Sequence, residues 1–252
     1  MTSASSTGSS AERSLRLLAR LAKEGRALSL ADLAADLALP KGTAHRLCAQ
    51  LLETGFIARD VNERDFIVGP ALRKLSLDTL NHGAVRGLRH QVLSELVAQI
   101  GETCNITTLD GASVLYLDRV EAPWPWRLTL AVGEHVPLHC TASGKLFLAL
   151  LPLRQRELLI SQLHLTAVTE ATITSSTALR EECARIAAAG YSVDRQEFID
   201  GLLAIAVPVL DESGQIRAAL AVHAPVSRLS SEQGLEKLPA LHDAAQRLSR
   251  LL

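Results

Sequence analysis

Gly25, Pro40 and Gly55 divide the first seventy residues into pieces too short for anything but a small helical bundle. Between these breakers the apolar residues recur at helical spacing. Leu15, Leu18, Ala19 and Ala22 predict a first helix from about Ala11 to Lys23, capped by Ser9 or Ser10 and ended by Gly25. A second helix opens at Ser29, whose spacing to Asp32 is that of a capping box, and buries Leu30, Leu33, Ala34 and Leu37. Ala38-Leu39-Pro40 is a tight break. A third helix follows from about Lys41 to Thr54, with Ala44, Leu47, Cys48 and Leu51 inward and Gly55 as its stop. The β-prone runs Phe56–Arg59 and Asp65–Val68 flank a polar turn, Asp60–Arg64, and predict a hairpin. Gly69-Pro70 closes it and starts another helix through about Leu80.

Three helices and a hairpin make the winged helix-turn-helix pattern. The outer side of the third helix carries Lys41, Thr43, Arg46 and Gln50, and Thr43, Arg46 and Gln50 fall at i, i+3, i+7 in one row. Arg and Gln can make bidentate contacts to base edges in a major groove. Lys41, Thr43 and the open N–H groups of the helix start suit phosphate oxygens. Asn62 and Arg64 in the hairpin turn, with Arg59 on its strand, face the DNA backbone or minor groove in this reading. The bland alternative is an ordinary solvated helix face. Gly42 in the first turn is mildly unfavourable, and either close approach to a phosphate or a plain loop-to-helix transition accounts for it.

Composition first argues the other way. The 252 residues carry 26 Lys+Arg against 27 Asp+Glu, a net charge of −1. Residues 1–80 hold 11 bases and 9 acids, however, so their balance is +2 and that of the remainder is −3. The whole-chain sum averages a mildly basic head with a more acidic body. With 48% hydrophobic residues there is material for packed cores, and no apolar run approaches the roughly 20 residues of a membrane span. Residues 1–10 have neither a basic nor an apolar region and read as a flexible polar tail rather than a signal peptide. The four cysteines are scattered, without metal-ligand spacing, so no metal, no cofactor and a reducing cytoplasm are expected.

After Asn81-His-Gly83 the pattern changes. A helix near Val85–Ile100 precedes β-prone runs at Cys104–Leu109, Ser113–Arg119 and Arg127–Val132, with Asp110-Gly111 as a hairpin signal. Helical stretches follow at Thr141–Leu151, Leu153–Leu163 and Thr177–Ala189. Strand-like runs return at Tyr191–Asp194, Leu203–Leu210 and Ile216–His223, and a last helix begins at Ser230, with capping-box spacing to Gln233. Two domains are expected, with a boundary near residues 81–90.

The stretch Gly133–Lys145 invites three enzymatic readings and supports none. A P-loop needs glycine where His139 stands. Cys140 and His139 are neighbours on an extended segment and point to opposite faces. A G-x-S-x-G elbow fails because Thr141 stands two residues before Ser143. What survives is a helix N-terminus at Thr141–Gly144 whose N–H groups favour an anion such as a carboxylate, or else a simple capped helix packed on a sheet.

Residues 11–70 resemble the DNA-binding domain of the IclR family of bacterial transcriptional regulators, through Glu12–Leu15, Leu28–Ala34, Leu39–Leu47 and the wing exit Phe66–Gly69. The family usually has Tyr at Phe66 and Ser at Gly42. Residues 85–250 resemble its GAF-like αβ effector domain, through Val114–Arg119, Pro137–Lys145, Thr169–Ile173, Gly190–Asp194, Glu197 with Gly201, and Ile205–Pro208. The resemblance implies an α+β chain: a flexible tail (1–10), a winged helix-turn-helix domain (11–69), a linker helix (70–84) and an effector-binding domain (85–252). It implies a regulator, a repressor in the first instance and not an enzyme, that acts as a homodimer or dimer of dimers on a palindromic double-stranded operator and senses a small carboxylate. It adds Ser29, Gly42 and His45 to the DNA-facing set. The implied pocket uses the backbone N–H of Ala142 and Ser143, with Asp194, Leu202, Ala204, Ala221 and His223, walled by Leu128 and Val136. Relatives that hold small oxo-acids tend to have Cys or Ser at Ala204, Ala221 and His223. Trp124 and Trp126 lie on the segment entering the region, and Trp126 counts among the pocket residues. Less polarity and more aromatic wall imply a larger, aromatic or hydrophobic acid. The bland readings make the tryptophans a dimer contact or core, and His223 a strand-end residue facing solvent. The rival functions are an enzyme, or a partner-assembling protein whose winged helix is a protein-contact module.

Overall fold

The computed structural model describes residues 9–24, 26–60, 63–80, 82–125 and 130–251. The chain divides into two compact units, Met1–Asn81 and His82–Leu252.

The first unit contains α1 (Ser10–Glu24), α2 (Leu30–Asp36), α3 (Lys41–Glu53), β1 (Ile57–Arg59), β2 (Phe66–Val68) and α4 (Pro70–Leu80). β1 and β2 pair antiparallel, with Ile57 opposite Val68 and Arg59 opposite Phe66. Leu28, before α2, bridges to Phe66 and adds a third short edge that the sequence did not announce. The capping box of α2 is complete: Ser29 Oγ accepts from Asp32 N at 3.1 Å and the Asp32 carboxylate accepts from Ser29 N at 3.1 Å. The face of α1 differs from expectation. Leu17, Leu18 and Leu21 are buried, while Leu15 is 67% exposed and Ala19 and Ala22 face outward. Two apolar stripes compete on this helix, and the one with three leucines removes more apolar area from water than the one with two leucines and two alanines. Leu28, Leu33, Ala44, Leu47, Cys48, Ile57 and Phe66 complete the core. Gly69 is obligatory at the wing exit, because a Cβ there would sit 2.2 Å from the Gly55 carbonyl oxygen.

The second unit contains α5 (Gly83–Ile100), β3 (Thr103–Asp110), β4 (Ser113–Val120), β5 (His135–Pro137), α6 (Ala142–Leu150), α7 (Leu153–Gln162), α8 (Ser176–Ala189), β6 (Ser192–Arg195), β7 (Leu202–Leu210), β8 (Ile216–Pro225), α9 (Ser231–Leu235) and α10 (Leu238–Ser249). The six strands form one antiparallel sheet in the order β5-β4-β3-β8-β7-β6. α5 and α10 pack on one face, and α6, with α8 behind it, on the other. The inner strands are therefore covered on both sides, and β8 is buried almost throughout.

Two expectations are corrected here. Of the strand foreseen at Arg127–Val132, residues 127–129 lie outside the described residues and Leu130–Val132 are not extended in the sheet. β5 instead pairs with β4 at His135–Pro137, because the chain turns at Gly133 (φ +92°), where the Glu134 carboxylate accepts from Ala131 N at 2.9 Å. The final helix is split into α9 and α10. Its Ser230–Gln233 capping box is present, but Pro239 offers no N–H and stands where a new helix can only start. Among the described residues no helix is long and apolar enough to cross a membrane.

Candidate DNA interface and candidate ligand cavity

α3 has no side-chain cap, since Pro40 precedes it. Pro40 O receives the N–H groups of Thr43 and Ala44, which leaves those of Lys41 and Gly42 without a partner among the described residues. Lys41, Gly42, His45, Arg46 and Gln50 are exposed and Thr43 is half-buried, so the row read from the sequence stands outward on the helix. A Cβ on Gly42 would meet nothing within 4 Å. Packing therefore does not demand glycine there.

The rest of the DNA-facing set fares unevenly. Ser29 is corrected: its N–H and its hydroxyl both donate to the Asp32 carboxylate, at 3.1 and 2.8 Å, so no donor is left for a phosphate. Arg59 lies along the hairpin, its guanidinium 4.3 Å from the Phe66 ring centre and Nη1 donating to Arg64 O at 3.0 Å. It is exposed, as is Arg64. Asn62 lies outside the described residues.

In the second unit a cavity opens between the sheet and the N-terminus of α6. About 400 Å³ of space free of atoms lies in the cavity and its mouth together, open solvent included. Cross-strand pairing explains its floor. Asp194 (β6), Ala204 (β7) and His223 (β8) stand opposite one another in one row. Asp194 and His223 are thus two strands apart, about 10 Å, with only a methyl group between them. The neighbouring row runs Ala206, Ala221, Asn105, Arg119. Small residues in the middle of both rows make the hollow.

The roof is the start of α6. Thr141 Oγ1 accepts from Gly144 N at 3.1 Å and donates to Pro137 O at 2.7 Å. Thr141 O accepts from Lys145 N. The N–H groups of Ala142 and Ser143 keep no partner among the described residues, and both residues line the cavity. Gly144 lets α6 come this close, because a Cβ there would lie 2.4 Å from Leu138 O. Lys145 is fully buried. Its Nζ donates to Val193 O at 2.8 Å, pairs with Glu197 and lies 3.5 Å from Glu182. The glycine and lysine that suggested a phosphate loop are thus a packing contact and an internal ion pair.

Asp194 faces this roof while 2% exposed. Burial pushes its carboxyl up to about 7, helped by the Glu197 charge and opposed by the N–H groups that Glu197 and Phe198 donate to Oδ1. His223 is buried, not solvent-facing, and burial with the nearby Arg119 charge pushes it down to about 3. Arg119 Nη2 is 3.1 Å from His223 Nε2, and the Asn105 carboxamide is 3.1 Å from Nδ1. Arg119 can only donate, so Nε2 accepts. The neutral ring then carries its proton on Nδ1, and Asn105 meets it with its carbonyl oxygen.

The structure thus gathers Val136, Ala142, Ser143, Asp194, Leu202, Ala204, Ala221 and His223 around one cavity. Trp126 and Leu128 lie outside the described residues. Trp124 is not among the cavity residues: its Nε1 donates to Gly101 O at 2.9 Å and its ring meets the Arg228 guanidinium, which holds Glu102 with two 2.8 Å bonds. The aromatic wall comes instead from Tyr116 and Phe198. Sequence reasoning also missed Asn105 and Thr107. The signal was there: Thr103, Asn105 and Thr107 are polar at alternate positions of β3, with Cys104 and Ile106 between them. Cys140 is buried and its thiol is pushed up to about 12, which removes the thiolate a nucleophile needs.

Residues 10–61 match the family model of the IclR helix-turn-helix domain, and residues 77–250 match that of the bacterial transcriptional regulator IclR C-terminal domain. The chain is 40% identical over 242 residues to the probable transcriptional regulator SauR of Cupriavidus necator, covering 96% of each chain. It is 29% identical to the transcriptional repressor IclR of Escherichia coli, covering 89% of this chain and 82% of that one. An IclR homolog of Microbacterium hydrocarbonoxydans, solved in complex with 4-hydroxybenzoate, superposes with a TM-score of 0.61 at 26% identity, covering 97% and 99%.

Proposed function

Because the chain belongs to the IclR family of bacterial transcriptional regulators, we propose that it is a repressor whose α3 reads a palindromic operator and whose cavity senses a small carboxylate. The observation that carries the sensing half is the pair of unpartnered N–H groups at Ala142 and Ser143, on the wall of a cavity whose residues are otherwise largely apolar. A helix N-terminus of this kind favours an anion through both its open donors and its dipole. Tyr116 and Phe198 give the space an aromatic wall, and the relative solved with 4-hydroxybenzoate supports an aromatic acid.

On the DNA side, Arg46 and Gln50 address base edges, Thr43 and His45 lie beside them, and Lys41 with the free N–H groups of Lys41 and Gly42 takes phosphate. Arg59 and Arg64 serve the backbone from the hairpin. The working unit is a homodimer or dimer of dimers in the cytoplasm, its two α3 helices reaching successive major grooves about 34 Å apart. The uncovered stripe Leu15, Ala19, Ala22 on α1 supports a second copy. Ligand must bind the DNA-competent and incompetent states unequally, or no regulation results.

An operator selected from random duplex DNA tests the first half. Arg46→Ala should weaken specific binding about 10- to 100-fold while sparing non-specific binding, whereas Lys41→Ala should weaken both and lower the salt slope by about one. Undiminished selectivity in Arg46→Ala would remove α3 from base readout. For the second half, calorimetry should find carboxylic acids that bind while their methyl esters do not; equal binding of the esters refutes the anion site.

A further inference from the structure

Asn105 is 2% exposed, lines the cavity floor and uses only one side of its carboxamide. The other carboxamide atom is buried and has no partner among the described residues. Its identity follows from the histidine. Arg119 fixes Nε2 of His223 as an acceptor and so fixes the ring proton on Nδ1, which turns the Asn105 oxygen to the ring. The unused end is therefore the NH2 group, a donor. Folded proteins seldom leave such a group unmet. The cross-strand neighbours of Asn105 on one side are Ala221 and then Ala206, which are too short to reach it.

We infer that Asn105 is a specificity-determining residue that reads a second, acceptor oxygen on the ligand, so that the effector is a carboxylic acid bearing a further hydroxyl or carbonyl group. This rests on the carboxylate reading above: the acid group goes to the Ala142 and Ser143 N–H groups, and the second oxygen to Asn105. Arg119 and His223 act through Asn105. They hold the carboxamide in one orientation, and a cavity with Cys or Ser at His223 would have no such fixed donor.

Calorimetry on the full chain tests this with two sets of matched acids. One is benzoate, 4-hydroxybenzoate and 4-formylbenzoate; the other is butyrate, 3-hydroxybutyrate and 3-oxobutyrate. In at least one set both oxygen-bearing acids should bind the wild type about tenfold or more tighter than their parent, the effect of one satisfied buried donor. Asn105→Asp keeps an oxygen toward His223 and replaces the free donor by an acceptor, with an added negative charge that lowers the affinity of all three acids of a set together. Measured against the parent acid, it should keep the preference for the hydroxy acid, which can donate, and lose the preference for the formyl or oxo acid. Asn105→Leu should bring all three acids of the set within about threefold. Thermal unfolding confirms that each variant is folded. Equal wild-type affinity for parent and oxygenated acids, or an unchanged preference in the folded Asn105→Asp protein, overturns the inference and leaves the carboxylate reading standing. Binding of no acid in either set, or equal binding of the methyl esters, overturns the carboxylate reading and this inference with it.

Discussion

Asp194→Asn should make the second unit more stable at pH 8 than the wild type and bring little gain at pH 4. The Asp194 carboxyl is pushed from 3.8 up to about 7 in the folded chain, chiefly by burial. A group raised in this way holds its proton more tightly folded than unfolded. Between pH 4 and 7 the folded state binds one more proton than the unfolded state, so stability falls as pH rises through that window. At 1.36 kcal/mol per unit, the shift of about 3 units corresponds to a loss of about 4 kcal/mol once pH exceeds 7. Asparagine keeps an oxygen for the Glu197 and Phe198 N–H groups, at 2.7 and 3.4 Å, but carries no charge to desolvate. Both tryptophans of the chain, Trp124 and Trp126, lie in the second unit, so urea unfolding followed by tryptophan emission reports on that unit alone. The wild-type midpoint should drop between pH 4.5 and 8 relative to that of Asp194→Asn, and the two curves should converge below about pH 4. Parallel curves across the whole range would show that Asp194 does not carry this penalty.

Three other perturbations follow from the packing. Gly144→Ala drives a Cβ to 2.4 Å from Leu138 O, in contact with backbone that cannot swing away, and should cost about 1–3 kcal/mol in a denaturation series. Gly42→Ala meets nothing within 4 Å and should instead stabilise the first unit by about 0.5–1 kcal/mol, measured by its thermal midpoint. Lys145→Met strands the Glu197 carboxylate in the interior and should cost about 3–5 kcal/mol, part of which the double variant Lys145→Met/Glu197→Leu recovers.

Local rules made most of the fold legible. Capping boxes at Ser29 and Ser230, breakers at Pro40 and Gly69, and the two-residue turn after Asp110 are short-range devices, and each stands where the sequence indicates. The face of α1 was misjudged because helical periodicity admits two stripes, and only the area each buries against its neighbours decides between them. In the cavity, the residues on α6 and on β6 to β8 could be listed from the family pattern. The state of the side chains could not. That His223 is neutral, doubly engaged and buried depends on Arg119 and Asn105, which are more than a hundred residues away in the chain and meet it only through strand pairing. Trp124 illustrates the same limit: proximity in sequence to the cavity segment carried no information about the Gly101 carbonyl and Arg228 guanidinium that its side chain meets.

The order of the strands also has a consequence for how the protein is made. The centre of the sheet is a seam between β3 and β8, with Thr103 opposite His223, so the first long strand of the sensor waits for the last. The first unit is closed by residue 81. During synthesis, at about 5–20 residues per second, the ribosome therefore emits a complete helix-turn-helix unit several seconds or more before β8 exists to finish the cavity. Any chain that stops short of Ile216, through a nonsense codon or a proteolytic cut, keeps the helix-turn-helix head and lacks a central strand of the cavity floor.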